Sequence, residues 1–261
     1  MQLPDLWYSS LMRIAIREIQ AKTILAKSGI PGADYCVNAY VGCAHACIYC
    51  YATFMRKFTG HAEPWGSFVD VKTNAPELLK KNIRRAVKGN VMLSSVTDAY
   101  QPLEAKYRLT RQCLEILHEY QFPVDILTKS PLVLRDLDVI QRFEHIEVGI
   151  TITTDDEGMR KVFEPHAPPI SARIETLGKL KGQGVRTYVF IGPLLPMDPE
   201  KLTEKIRFHA DAVLISGMNY PSKTAAVYRR LSITQWLDKE YTDEVRERLK
   251  KGMTGKDITI C

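Results

Sequence analysis

Short apolar runs alternate with polar loops and amphipathic stretches along most of this chain, and that rhythm predicts its elements. Apolar runs at residues 91–95, 124–128, 146–152, 185–191 and 212–215 read as strands buried on both faces, as parallel strands are. Between them, apolar residues recur at helical spacing: Cys113, Leu117 and Tyr120; Leu134, Leu137 and Ile140; Ile174, Leu177 and Leu180; Leu202 and Ile206. A further run at 33–41 reads as a first strand. The expected fold class is therefore α/β, a partial (β/α)6 TIM-type barrel of parallel strands open on one side.

The flanks fit the rhythm less well. Residues 11–24 are amphipathic and end at Gly29-Ile30-Pro31-Gly32, so an amino-terminal helix or extension is expected over 1–32. The core is expected over 33–221, and a carboxyl-terminal extension over 222–261 should pack on it, with 242–251 forming a charged, solvent-facing helix. One domain overall is expected. Residues 51–74 form a long connection rich in aromatic residues, the kind of loop that is usually functional. A helix is predicted over 75–89, with Asn74 as its cap and Pro76 in its first turn.

Composition changes this picture little. Hydrophobic residues make up 45% and charged residues 25% of the 261, ordinary soluble usage that excludes wholesale disorder. No apolar run reaches the roughly 18 residues of a spanning helix, and the amino terminus lacks a basic region followed by a hydrophobic one. Six unevenly spaced cysteines do not make a secreted disulfide framework. A reducing, cytoplasmic setting is expected, with no membrane contact. The net charge of +6 permits a polyanionic partner, and Lys80, Arg84 and Lys88, joined by Lys81 and Arg85, give one helix a basic face that could meet phosphates.

The chemistry concentrates in Gly42-Cys43-Ala44-His45-Ala46-Cys47-Ile48-Tyr49-Cys50-Tyr51. Three thiols at C-x3-C-x2-C spacing can hold three corners of a cubane iron–sulfur cluster and leave one iron without a protein ligand. Two other readings stay open here. Zinc takes four cysteines, or three with a histidine, so Cys36, Cys43, Cys47 and Cys50, or the last three with His45 or His61, would serve. Ordinary core cysteines are the third. Cys113 lies in a helical stripe and reads as a small core residue, while Cys36, Cys113 and Cys261 lack the clustering of a second site.

The C-x3-C-x-Φ-C pattern, with Tyr49 at Φ, resembles the signature of radical S-adenosylmethionine (SAM) enzymes. The stretch from Asn38 to Ala52 is similar to the spore photoproduct lyase-like branch, and the resemblance extends over about residues 36–220. It implies a partial barrel and a [4Fe–4S] cluster on Cys43, Cys47 and Cys50. It also implies SAM on the open iron, an external one-electron donor, and cleavage of SAM to a 5′-deoxyadenosyl radical that abstracts hydrogen from a substrate. The substrate and the oligomeric state are not specified. A DNA or RNA repair or modification enzyme is the second enzymatic reading, and a non-enzymatic zinc or iron–sulfur protein is the third.

Polar residues at the predicted strand ends supply candidates for a SAM site. The resemblance implies Ser95, Thr97 and Asp98 near the methionyl ammonium, Lys129 at the carboxylate and Thr151 at the ribose. Tyr49 suits stacking on the adenine, Tyr51 is the candidate for radical relay, and Glu164 and Arg173 are expected to shape the site. The lyase branch also carries a hydrogen-donating cysteine shortly before its T/S-D pair. Here Leu93-Ser94-Ser95-Val96-Thr97-Asp98 contains none, so thymine-dimer repair by that route is not expected.

Overall fold

The computed structural model describes residues 14–261. In chain order its elements are β1 (Ala15–Ile19), β2 (Leu25–Lys27), β3 (Tyr35–Val37), β4 (Tyr40–Val41), β5 (Phe68–Lys72), α1 (Ala75–Ile83) and β6 (Val91–Leu93). Then come α2 (Glu104–Tyr107), α3 (Leu109–Glu119), β7 (Val124–Thr128), α4 (Leu137–Ile140), β8 (Ile146–Thr151), α5 (Glu157–Phe163), α6 (Ile170–Gly182) and β9 (Arg186–Ile191). The last are α7 (Pro199–Ile206), β10 (Ala212–Ile215), α8 (Ala225–Arg230), α9 (Lys239–Gly252) and β11 (Asp257–Ile260).

The main sheet runs β11-β10-β9-β8-β7-β6-β3-β2, parallel throughout except for the antiparallel β2–β3 pair. Its six central strands are those expected of the open partial barrel. The two edge strands were not expected: β2 comes from the amino-terminal extension and β11 from the last residues of the chain. Alternate residues share a face of a strand. One face carries Val91, Leu93, Val124, Ile126, Val148, Ile150, Val189 and Ile191, all 2% exposed or less, and the helices cover it with Leu114, Leu117, Ile140, Leu177, Leu180, Leu202 and Ile206. Each such side chain contributes about 1.5–3 kcal/mol by leaving water.

The opposite face is more polar. Cys36, Asp125, Glu147 and Tyr188 lie there, and the Tyr188 hydroxyl donates to Asp125 Oδ1 at 2.8 Å although β8 lies between their strands. Gly149 makes that reach possible, because a Cβ at this position would sit 2.2 Å from the Tyr188 ring.

Several expectations need correcting. Residues 11–24 do not form a helix where described: β1 occupies Ala15–Ile19 and pairs in parallel with β5, while Leu11 lies outside the described residues. The run at 33–41 is two strands, because after β3 the chain turns and β4 pairs with β5 in a separate three-stranded sheet, β1-β5-β4. The long connection holds a 3₁₀ segment, Tyr51–Phe58, as well as β5. Helix α1 ends at Ile83 rather than Gly89, and Asn74 does not cap it through its side chain. That side chain instead exchanges two hydrogen bonds with the backbone of Ala21. Helix α9 is not purely a solvent-facing cover, since Val245 and Leu249 are buried.

Candidate active site

The cysteine loop leaves β4 at the carboxyl-terminal side of the parallel strands, where loops of such sheets carry chemistry. Its first turn depends on glycine. Gly42 has φ +89°, and a Cβ there would lie 2.3 Å from the Phe68 carbonyl oxygen. Polar residues after β6 then brace the loop. Thr97 Oγ1 donates to the Gly42 carbonyl at 2.6 Å, and the Gln101 side chain both accepts from Ala44 N at 3.0 Å and donates to Gly42 O at 3.2 Å. Cys43 and Cys47 are buried, and Cys50 is half-buried.

Among the described residues, no three His, Cys, Asp or Glu side chains converge as they would around a single metal ion. Cys43, Cys47 and Cys50, three thiols of one loop, are a donor set that fits a cubane, whose cysteines bind separate iron atoms. Burial, with Cys43 nearby, pushes the Cys50 thiol up, and burial raises Cys47 against the opposing Lys129 ammonium. Bound iron would supply the positive charge that thiolates need in such a setting.

His45 lies inside the loop, almost fully buried, with Nδ1 3.4 Å from Asp98 Oδ2. Burial works against its protonated form, but Cys43 and Asp98 carry its pKa up to about 9. The Asp98 carboxylate also accepts from Tyr100 N at 2.9 Å, from Thr128 Oγ1 at 2.6 Å and from Lys129 N at 2.9 Å. Burial opposes its charge, and His45 with these donors holds its pKa well below the usual carboxylate range. Asp98 thus ties the cysteine loop to the end of β7.

A second charged group lies beside Cys47. Glu164 is fully buried and meets Arg173 Nη2 at 2.5 Å, Thr153 Oγ1 at 3.1 Å and the Tyr49 hydroxyl, with Lys129 Nζ 3.9 Å away. Burial would raise its pKa, but Arg173 and Lys129 hold it at about 2. Arg173 also donates to the carbonyls of Pro168 at 2.9 Å and Thr151 at 3.2 Å. Lys129 Nζ lies 5.8 Å from the centre of the Tyr49 ring and makes no hydrogen bond among the described residues.

Of the expected residues, Tyr49, Lys129, Glu164 and Arg173 come together directly, with Thr151 joined through its backbone. Thr97 and Asp98 touch the cysteine loop. Ser95 stands apart from that group, accepting from Asn38 Nδ2 at 3.2 Å through Oγ and from the Tyr51 hydroxyl through its carbonyl. Sequence reasoning missed Gln101, Thr153 and the bracing role of His45. It also missed Lys223, which donates to the Cys50 carbonyl at 2.7 Å and to Thr53 Oγ1 at 2.6 Å across 173 and 170 positions. No local spacing announces such contacts. His45 carried the one available signal, its place between two cysteines.

The family model for the radical SAM superfamily matches residues 37–209. An uncharacterized protein of Methanocaldococcus jannaschii is 36% identical, over 95% of this chain and 96% of that protein. Spore photoproduct lyase complexed with dinucleoside spore photoproduct shares the fold at a TM-score of 0.69 and 12% identity, covering 98% of this chain and 84% of that one. A doubly substituted form of that lyase, with bound AdoMet and dinucleoside spore photoproduct, aligns at a TM-score of 0.66 and 12% identity, over 97% and 83% of the two chains. With a family match over more than half its length, on the segment that holds the three cysteines, the chain belongs to the radical SAM superfamily.

Proposed function

We propose that Cys43, Cys47 and Cys50 hold a [4Fe–4S] cluster and that the protein cleaves SAM reductively to abstract hydrogen from a substrate. When bound, the cluster would supply one electron to SAM. The observation that carries this reading is the Lys129 ammonium, half-buried near Cys47 and Tyr49 with Glu164 3.9 Å away and no hydrogen-bond partner among the described residues. A half-buried cation with free donors is suited to a carboxylate, and SAM carries one.

The chain's own residues divide the remaining tasks. Lys129 would hold the SAM carboxylate, Tyr49 would offer its ring to the adenine, and Thr151 would serve the ribose. Ser95, Thr97 and Asp98 serve the ammonium end, the last two chiefly by fixing the cysteine loop through Gly42 and His45. Tyr51, with its hydroxyl on the Ser95 carbonyl, is the candidate for radical relay. Glu164 and Arg173 set the position of Tyr49. The electron comes from an external donor.

Anaerobic reconstitution with iron and sulfide tests the metal assignment. About four irons and four sulfides per chain are expected, falling sharply in Cys50→Ala. One zinc per chain without acid-labile sulfide contradicts it. The dinucleoside bound by the lyase supports a nucleic-acid substrate as a second reading. The basic helix does not add to it, because Arg84, Arg85 and Lys88 follow α1 and lead into the start of β6, the strand end opposite the cysteine loop. Salt-sensitive oligonucleotide binding is its test.

A further inference from the structure

The three cysteines differ in exposure: Cys43 and Cys47 are each 8% exposed, whereas Cys50 is half-buried. The 3₁₀ segment Tyr51–Phe58 begins immediately after Cys50. It displays Phe54 at 45% and Phe58 at 69% exposure, with Lys57 Nζ 4.8 Å from the centre of the Phe58 ring. Large apolar rings left in water beside a functional loop mark a contact surface.

The segment itself carries charge of one sign, with the partly exposed Glu63 the nearest acid in sequence. Residues 51–58 contain Arg56 and Lys57 and no acid, and Lys223 adds a third cation where it bonds the Cys50 carbonyl. Two of these cations have donors already committed, Arg56 to the Ala62 carbonyl and Lys223 to Cys50 and Thr53. Their field still attracts an acidic surface at a distance, but few donors remain to bond a row of phosphates. This favours a folded acidic protein over a nucleic acid strand.

We propose that the Tyr51–Phe58 edge, with Lys57 and Lys223, is the docking surface for an acidic one-electron carrier protein. The inference rests on the proposed function in one respect, that the three cysteines hold a redox centre. The reduced carrier gives up one electron and is oxidised by one, and the centre behind Cys50 is reduced by one. No proton or leaving group is needed for this step. Cys50 is the point of entry because the thinnest layer of protein covers it, and Phe54 and Phe58 supply the contact that excludes water around it.

The probe is a plant-type [2Fe–2S] ferredoxin, an acidic carrier, with cytochrome c as a basic control. Binding to the reconstituted protein is measured by calorimetry at low and high salt, and reduction of the protein is followed by stopped flow with reduced ferredoxin or with dithionite. Phe58→Ala and Lys57→Glu should each weaken ferredoxin binding at least about tenfold and slow reduction by ferredoxin in parallel, and leave reduction by dithionite unchanged. Binding should fade with salt, and cytochrome c should not bind. Undetectable ferredoxin binding to the unaltered protein at low salt overturns the proposal, as does binding that both variants leave intact. Variants that lose affinity for a labelled oligonucleotide and keep it for ferredoxin overturn it in favour of a nucleic-acid surface. Failure of dithionite to yield 5′-deoxyadenosine from SAM in the unaltered protein counts against the proposed function and leaves the docking result to stand or fall by its own binding data.

Discussion

Arg173 reaches Glu164 inside the protein, with Nη2 2.5 Å from Oε2 and neither side chain exposed to solvent. The two lie nine positions apart, and the pair also holds Tyr49 in place. Removing the guanidinium strands a buried carboxylate, so Arg173→Met should cost about 3–5 kcal/mol. Glu164→Gln should cost less, because Arg173 keeps the carbonyls of Pro168 and Thr151. Urea denaturation at neutral pH reads both values. Variants within about 1 kcal/mol of the unaltered protein would show that the pair is not structural.

Asp125 gives a pH dependence of opposite sign to that of most carboxylates. Burial lifts its pKa from 3.8 to about 6, partly offset by the Tyr188 hydroxyl. A raised carboxyl pKa means that the native state binds the proton more tightly than the unfolded chain. Its contribution is therefore present in full below about pH 4 and lost as the pH rises through about 6. Asp125→Asn, which keeps an acceptor for Tyr188, should gain on the unaltered protein by up to about 3 kcal/mol between pH 4 and pH 8. Parallel stability curves for the two proteins would contradict this.

Gly149 and Tyr188 should be coupled. Gly149→Ala drives a methyl into the Tyr188 ring and should cost about 1–3 kcal/mol. In a Tyr188→Ala background the same change should cost much less, and the double-mutant cycle measures the difference. Additive costs would mean that the strain lies elsewhere.

How much of this was legible follows from the range of each signal. The six central strands carry dense apolar runs, so local pattern located them, and the cysteine spacing is a signal confined to eight residues. β1, β2 and β11 were missed for a physical reason: each is a short edge strand with most of its residues partly or fully exposed, so no apolar run marks it. The division of 33–41 into two strands depends on β4 pairing with β5 in a separate sheet, a contact made only after folding. The bracing of the cysteine loop by Gln101, and the bond from Lys223 to Cys50, join positions 57 to 173 apart, beyond any periodicity.

Tyr51 separates relay from structure. Its hydroxyl is held by the Ser95 carbonyl, and burial pushes its pKa up to about 12. Tyr51→Phe should keep iron and sulfide content and form 5′-deoxyadenosine within about twofold of the unaltered rate, because a relay acts after SAM is cleaved. Loss of iron from this variant would assign Tyr51 to the support of the loop instead.

The most direct measurement is of 5′-deoxyadenosine after anaerobic reconstitution of the protein with iron and sulfide and addition of SAM and dithionite. The nucleoside should form in the unaltered protein, vanish in Cys50→Ala, and fall by about tenfold or more in Lys129→Met, where the cation beside Cys47 is gone. A protein that carries its full iron and sulfide and yet yields no 5′-deoxyadenosine would contradict the proposed reaction.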